Sequence, residues 1–213
     1  MLSIALPKGS LEEGTFQLFK EADLEIISTE RGYSPKIKDP RIGKVKILRP
    51  QEIPTYVEEG HFDLGISGLD WVIESGVDVV DVASLPYSKQ SSGSVKIVLA
   101  VPNDSPWNAA KDVPSGARIS TEYPNLTKSY FEDMGIDVNI MFSYGATEAK
   151  VPELVDAVVD LTETGATLQR NGLKIIGILL ESTTRLIANK SSWDDPTKRS
   201  EIEDIQLLLC SAI

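Results

Sequence analysis

The residues best suited to chemistry in this chain lie between positions 153 and 168, where it reads Glu-Leu-Val-Asp-Ala-Val-Val-Asp-Leu-Thr-Glu-Thr-Gly-Ala-Thr-Leu. Residues 155–161 are a short apolar run of the kind that makes a buried strand. Asp160 closes the run. Thr162, Glu163, Thr164, Gly165, Ala166 and Thr167 then form a hydroxyl-rich turn with a single glycine. Threonine is a good N-cap, so a helix is expected to start in this turn. A strand, turn and helix of this composition point backbone N–H groups and hydroxyls outward, and a helix start favours an anion. The chemistry expected is phosphate binding, with Asp160 placed to accept hydrogen bonds from ribose hydroxyls or to help hold Mg2+. Asp156 reads as a strand-start marker, and Glu163 stands open between a site role and solvation. The stretch is not a Walker loop, because it lacks G-x-x-x-x-G-K-[ST].

Complementary positive charge sits elsewhere. Arg31 and Arg49 each follow an expected strand, and in open α/β sheets those ends meet the ligand. The forked donors of arginine suit phosphate or pyrophosphate. Residues 31–49 hold Arg31, Lys36, Lys38, Arg41, Lys44, Lys46 and Arg49 against Asp39, a local net of +6 in a chain of net −11. Such an island either focuses a polyanionic substrate or is a solvated loop and edge strand. Pro7-Lys8-Gly9-Ser10 is a second anion-compatible turn, and Ser10 with Glu13 makes a capping-box pattern for a following helix. Ser67-Gly68-Leu69-Asp70 is a small-residue turn that lets a ligand approach the backbone. One cysteine and one histidine exclude an intrachain disulfide and a multi-histidine zinc site. His61 reads as a surface residue, and Cys210 as a core or interface residue on the last helix.

A scaffold must hold these groups. The chain has 213 residues, 41% of them apolar and 25% charged, as in a soluble globular protein. No apolar run approaches the ~20 residues that span a bilayer. The N-terminus shows no basic region followed by an apolar one, so no signal peptide and a cytoplasmic setting are expected. The acidic balance argues against a general nucleic-acid binder. Strands are expected at 3–6, 24–28, 45–48, 62–66 and 79–85, with a loop at 36–44. Between them lie capped or proline-started helices that end at Gly60 and Gly76. The polar residues 86–93 look like a crossing into a second lobe. There, strands at 95–101, 117–121 and 138–142 accompany a helix capped by Asn125, with Leu126, Tyr130, Phe131 and Met134 inward. A strand is expected at 174–180, and residues 181–189 continue extended as the return crossing. Asp195-Pro196 then caps and starts a final helix burying Ile202, Ile205, Leu208 and Leu209. The fold expected is α/β and two-lobed, with residues 1–90 plus 185–213 in one lobe and 91–184 in the other, and a ligand cleft between them. These features alone suit a transferase and equally a non-catalytic binding module for a phosphorylated ligand.

The motifs taken together narrow this. Asp-Leu-Thr-Glu-Thr-Gly-Ala-Thr-Leu at 160–168 resembles the phosphoribosyl-diphosphate loop of ATP phosphoribosyltransferase. Ala5-Leu6-Pro7-Lys8-Gly9, Arg49-Pro50-Gln51-Glu52-Ile53-Pro54 and Asp63-Leu64-Gly65-Ile66-Ser67-Gly68-Leu69-Asp70 are similar to that family's first-lobe motifs. Thr121-Glu122-Tyr123-Pro124-Asn125 and residues 181–189 resemble motifs of its second lobe and return crossing. The resemblance implies a type II periplasmic-binding-protein-like fold. It also implies transfer of phosphoribosyl from 5-phosphoribosyl 1-diphosphate to N1 of ATP with Mg2+, releasing pyrophosphate, as the first step of histidine biosynthesis. By the same resemblance residues 162–167 cradle the 5′-phosphate, and Asp160 holds the ribose hydroxyls. Arg31, Arg49 and Lys8, with Gly9, face phosphates or the departing pyrophosphate, while Glu148, Gly68 and Asp70 line the cleft. No residue is directly assigned to the metal. The stretch around Gly32-Tyr33 departs from the family pattern. The chain looks like the short form, whose members work in a hetero-oligomer with a regulatory subunit similar to histidyl-tRNA synthetase.

Overall fold

Residues 1–27, 32–87 and 94–213 are described by the computed structural model of the chain. They form two compact units, Met1–Ser94 with Thr183–Ile213, and Val95–Ser182.

In the first unit, β1 (Leu2–Pro7) is apolar and almost wholly buried, as a strand covered on both faces should be. It leads through a 3-10 turn, Gly9–Leu11, into α1 (Glu12–Glu21), which turns Thr15, Leu18 and Phe19 inward. The Ser10–Glu13 capping box does not form. No side chain caps either helix start, and Glu12 instead accepts from the Gly9 N–H at 3.2 Å. The short strands β2 (Ile26–Ile27) and β3 (Lys36–Ile37) pair antiparallel, and β4 (Ile42–Leu48) follows. The stretch expected as a loop at 36–44 therefore contributes to two strands, because β2 and β1 offer it hydrogen-bonding edges. Next come α2 (Ile53–Glu58), β5 (Leu64–Gly68), α3 (Leu69–Ser75) and β6 (Val80–Ser84). β1 pairs parallel with both β4 and β5, so the C-terminal ends of three strands share one edge.

The second unit contains β7 (Ser94–Pro102) from Val95 onward, β8 (Arg118–Thr121), α4 (Pro124–Glu132), β9 (Asn139–Phe142), β10 (Ala157–Thr162) and α5 (Ala166–Arg170). β8 pairs parallel with β9 and β10, while β10 runs antiparallel to β7. The α4 cap is Tyr123, and Asn125 lies inside the helix, because Pro124 takes the first helical position. The helix thus starts two residues earlier than expected; Phe131 turns inward as expected, together with Thr127, while Met134 is exposed. Val98, Ala100, Val155, Val158, Leu168 and Leu173 close this unit's core.

β11 (Leu173–Ala188) is the return crossing as one unbroken strand, and its last residues pair antiparallel with β5 and β6. The outward crossing expected at 86–93 falls largely on residues 88–93, outside the described residues. After β11, α6 (Lys190–Asp194) precedes α7 (Pro196–Ser211), whose cap is Asp195 as expected; its side chain accepts from the N–H groups of Thr197 and Lys198. Ile202, Ile205 and Leu209 bury one face of α7 against the first unit's main core, which includes Leu2, Ile4, Phe19 and Leu186. Cys210 is exposed on that helix, so it is not a core residue.

Candidate active site

Strand register assembles one group of candidates in the second unit. Val159 lies beside Thr121, and Thr121 beside Phe142, so the chain leaves β10, β8 and β9 at one edge. Asp160 is the next residue of β10 after that level. Its Oδ1 accepts the Leu161 N–H at 2.8 Å. Burial pushes the carboxyl up to about 6; the Leu161 N–H opposes this, Glu148 and Glu122 add to it, and the Lys150 charge opposes it. Glu148 and Lys150 belong to the 3-10 turn Thr147–Lys150, which Ala146 enters in a left-handed conformation with φ 47°.

The turn after β10 closes on itself. Thr162 Oγ1 accepts the Gly165 N–H at 2.8 Å, and Thr164 Oγ1 accepts that of Ala166 at 3.4 Å. The residue before α5 is Gly165, at φ 78°, with no side-chain cap. The threonine cap expected there is replaced because the turn needs a left-handed residue at this point, which glycine adopts without steric cost. Thr167 lies inside α5, where its carbonyl accepts from the Asn171 side chain at 2.9 Å. Glu163 lies between the two bonding threonines. Asp156 is bound to Arg118 through both carboxylate oxygens, which gives it a structural role.

A second group forms in the first unit. Lys8 and Arg49 follow the ends of β1 and β4, tied together by the Lys8 N–H donating to the Leu48 carbonyl at 2.7 Å. Both line a concavity of about 910 Å³ with Gly9, Tyr33, Lys46 and Tyr56. The Lys8 ammonium stands 4.4 Å over the Tyr33 ring and 3.1 Å from its hydroxyl, and Lys46 donates to Ser34 at 2.5 Å. His61 is exposed at the rim, 3.3 Å from Glu59. Gly68 ends β5 and Asp70 follows it at the same sheet edge, but neither lines this concavity. A side chain at Gly68 would fall on the Asp70 carboxylate, which is 2% exposed. Glycine is therefore required there by close approach.

The basic island divides between uses. Arg41 is held by Asp39 and Asp204, which makes it structural, while Lys44, Lys46 and Arg49 line the concavity. Arg31 lies outside the described residues. Sequence reasoning gave no site role to Lys150, to Tyr33 or to Glu122, although Glu122 lies within a quoted motif; tertiary packing sets Tyr33 against Lys8 and brings the charges of Glu122 and Lys150 to bear on Asp160. Among the described residues no three acidic, histidine or cysteine side chains cluster as a metal cage.

Two α/β units, each carrying charged side chains at the C-terminal ends of parallel strands, define a two-lobed protein of the type II periplasmic-binding class. Solved members of that class agree in fold. The alkanesulfonate-binding protein SsuA from Xanthomonas axonopodis, bound to MOPS, matches 99% of this chain and 72% of its own, with TM-score 0.60 and 16% identity. The match to the ATP phosphoribosyl transferase (HisG:HisZ) complex from Thermotoga maritima reaches TM-score 0.84 and 28% identity, covering 100% of this chain and 98% of that one. Residues 49–210 match the family described as HisG, ATP phosphoribosyltransferase. The ATP phosphoribosyltransferase of Pelotomaculum thermopropionicum is 48% identical over the whole chain, which spans 73% of that relative. That of Chlorobium phaeovibrioides is 49% identical, with 72% of it spanned. The chain belongs to the ATP phosphoribosyltransferase family, the pentosyltransferases that catalyse the first step of histidine biosynthesis.

Proposed function

We propose that the second unit binds the donor, 5-phosphoribosyl 1-diphosphate, with its 5′-phosphate at residues 162–167 and its ribose hydroxyls on Asp160, and that the first unit binds anionic phosphate groups through Lys8 and Arg49. The observation that carries this reading is the junction of Asp160 with a turn whose own threonines hold its shape. A turn braced before ligand arrives loses little entropy on binding. Glu163 and Ala166 complete the turn, and Glu148 lies beside Asp160 at the same strand ends. Gly9 lines the concavity with Lys8, and Gly68 with Asp70 forms the third strand end of the first unit. Arg31 keeps the pyrophosphate role that the family pattern implies.

Attack by N1 of the adenine on the ribose carbon lets pyrophosphate leave from an oxocarbenium-like state. Such a reaction needs the leaving group's charge stabilised more than it needs a base. Cations meet that need, so a chain with one histidine is chemically adequate. Mg2+ supplies further charge neutralisation when bound. A cation of this kind typically arrives on substrate phosphates with several waters rather than in an all-protein cage. The negative net charge supports a small-molecule rather than a nucleic-acid ligand. No described helix is long and apolar enough to cross a membrane, which is compatible with work in the cytoplasm.

The proposed partner is a regulatory subunit of the HisZ kind. Its support is the Thermotoga protein, solved as a HisG:HisZ complex, whose chain is matched over 98% of its length. The test is pyrophosphate release and adduct formation from ATP, 5-phosphoribosyl 1-diphosphate and Mg2+, with and without a HisZ-type subunit. Turnover with ATP and none with free nucleobases supports the reading. No turnover under either condition overturns it, and activity that the added subunit leaves unaltered removes the partner.

A further inference from the structure

Lys150 ends the 3-10 turn Thr147–Lys150, and its ammonium reaches Ser120, which lies beside Val158, two residues before Asp160 on the same face of β10. The ammonium donates to Ser143 Oγ at 2.5 Å and lies 3.4 Å from Ser120 Oγ. Both serines are almost fully buried, at 0% and 1% exposure. Ser143 is itself fixed, by Thr147 Oγ1 at 2.8 Å and by its N–H donating to the Thr121 carbonyl at 2.8 Å. Three carboxylates stand around the same strand ends, yet among the described residues Lys150 forms an ion pair with none of them. The charged groups acting on Asp160 are Glu148 and Glu122, which favour its protonated form, and Lys150, which opposes them.

The arrangement has a physical consequence. A lysine in direct contact with Asp160 would occupy the lone pairs that ribose hydroxyls need. A lysine held on neutral hydroxyls leaves those lone pairs open, while its field still favours the ionised carboxylate. We propose that Lys150 is a positioning residue for phosphoribosyl transfer, anchored by Ser143 and Ser120 so that Asp160 stays charged and free to accept the ribose hydroxyls. This rests on the reading of Asp160 as the ribose anchor.

The test is the pH profile of kcat/KM for 5-phosphoribosyl 1-diphosphate in the parent, Lys150→Met, Lys150→Arg and Ser143→Ala, with thermal melting of each to confirm folding. In Lys150→Met the acid limb should move up by roughly a few tenths of a pH unit, with activity converging on the parent as pH rises. Lys150→Arg should restore the parent limb, and Ser143→Ala should move it in the same direction as Lys150→Met by less. An unmoved limb, or a loss equal at every pH, overturns the inference. Asp160→Asn in the parent separates the two layers. If it abolishes the limb and raises KM, the anchor stands and the Lys150 profiles decide alone. If it changes neither, the anchor falls and this inference falls with it.

Discussion

The Lys198 ammonium donates to the Asp63 carboxylate at 2.7 Å, joining the start of α7 to the residue before β5 across 135 positions of sequence. Asp63 also accepts from Ser192 Oγ at 2.6 Å, and from the N–H and hydroxyl of Ser3 at 2.7 Å each. One carboxylate, 9% exposed, thus fastens β1, α6 and α7 around β5. Burial alone would raise its pKa, but the bonds from Lys198, Ser192 and Ser3 outweigh that and hold it at about 2.

Stability should therefore depend on pH through Asp63. A folded pKa below the unfolded value contributes stability that is complete above about pH 4 and lost as pH falls through the folded value near 2. The size is about 2 kcal/mol. Urea unfolding of the parent from neutral pH down to about pH 3 should show this loss, and Asp63→Asn should be weaker at neutral pH and flatter in acid. Equal slopes for the two proteins would assign the acid sensitivity to other carboxylates.

Asp160 should show the opposite sign. Its folded pKa of about 6 lies above the unfolded value, so the ionised group destabilises the fold as pH rises through that interval, by at most about 3 kcal/mol at neutral pH, less where solvent screens the charge. Asp160→Asn should accordingly raise the melting temperature while lowering kcat/KM about 100-fold, a stability–function trade. A variant that gains no stability would show that burial of the charge costs the fold little.

Thr162→Ala removes the acceptor that braces the Gly165 N–H. With a hydrogen bond worth about 1 kcal/mol, KM for the donor should rise roughly tenfold or less, with kcat nearly unchanged and melting within a few degrees. A fall in kcat at constant KM would mean that the turn acts on the transition state instead.

Arg49→Ala should do the reverse. The side chain is exposed and lines the concavity, so the fold should survive. If it stabilises departing pyrophosphate, kcat should drop about 100-fold with a smaller change in KM. A pure KM effect would assign Arg49 to ground-state binding.

What the sequence determined by itself is local. The Asp195 cap with Pro196 behind it, Gly76 at φ 65° ending α3, and the apolar runs of β1, β7 and β10 are each settled within a few residues, and all formed as read. The order of these elements, with the family motifs laid along them, sufficed for the two-lobed class. The caps at Ser10, at Asn125 and in the threonine turn were not legible, because several residues qualify chemically and packing chooses where each helix begins. Residues 36–37 and 42–44, expected as loop, became strand because their partners lie elsewhere in the chain. The Asp63–Lys198 bond, the placing of Lys150 on Ser143 and Ser120, and the raised pKa of Asp160 depend on strand register and burial. Those interactions join residues far apart in sequence, and only the tertiary structure sets the distances and the desolvation that give them their strength.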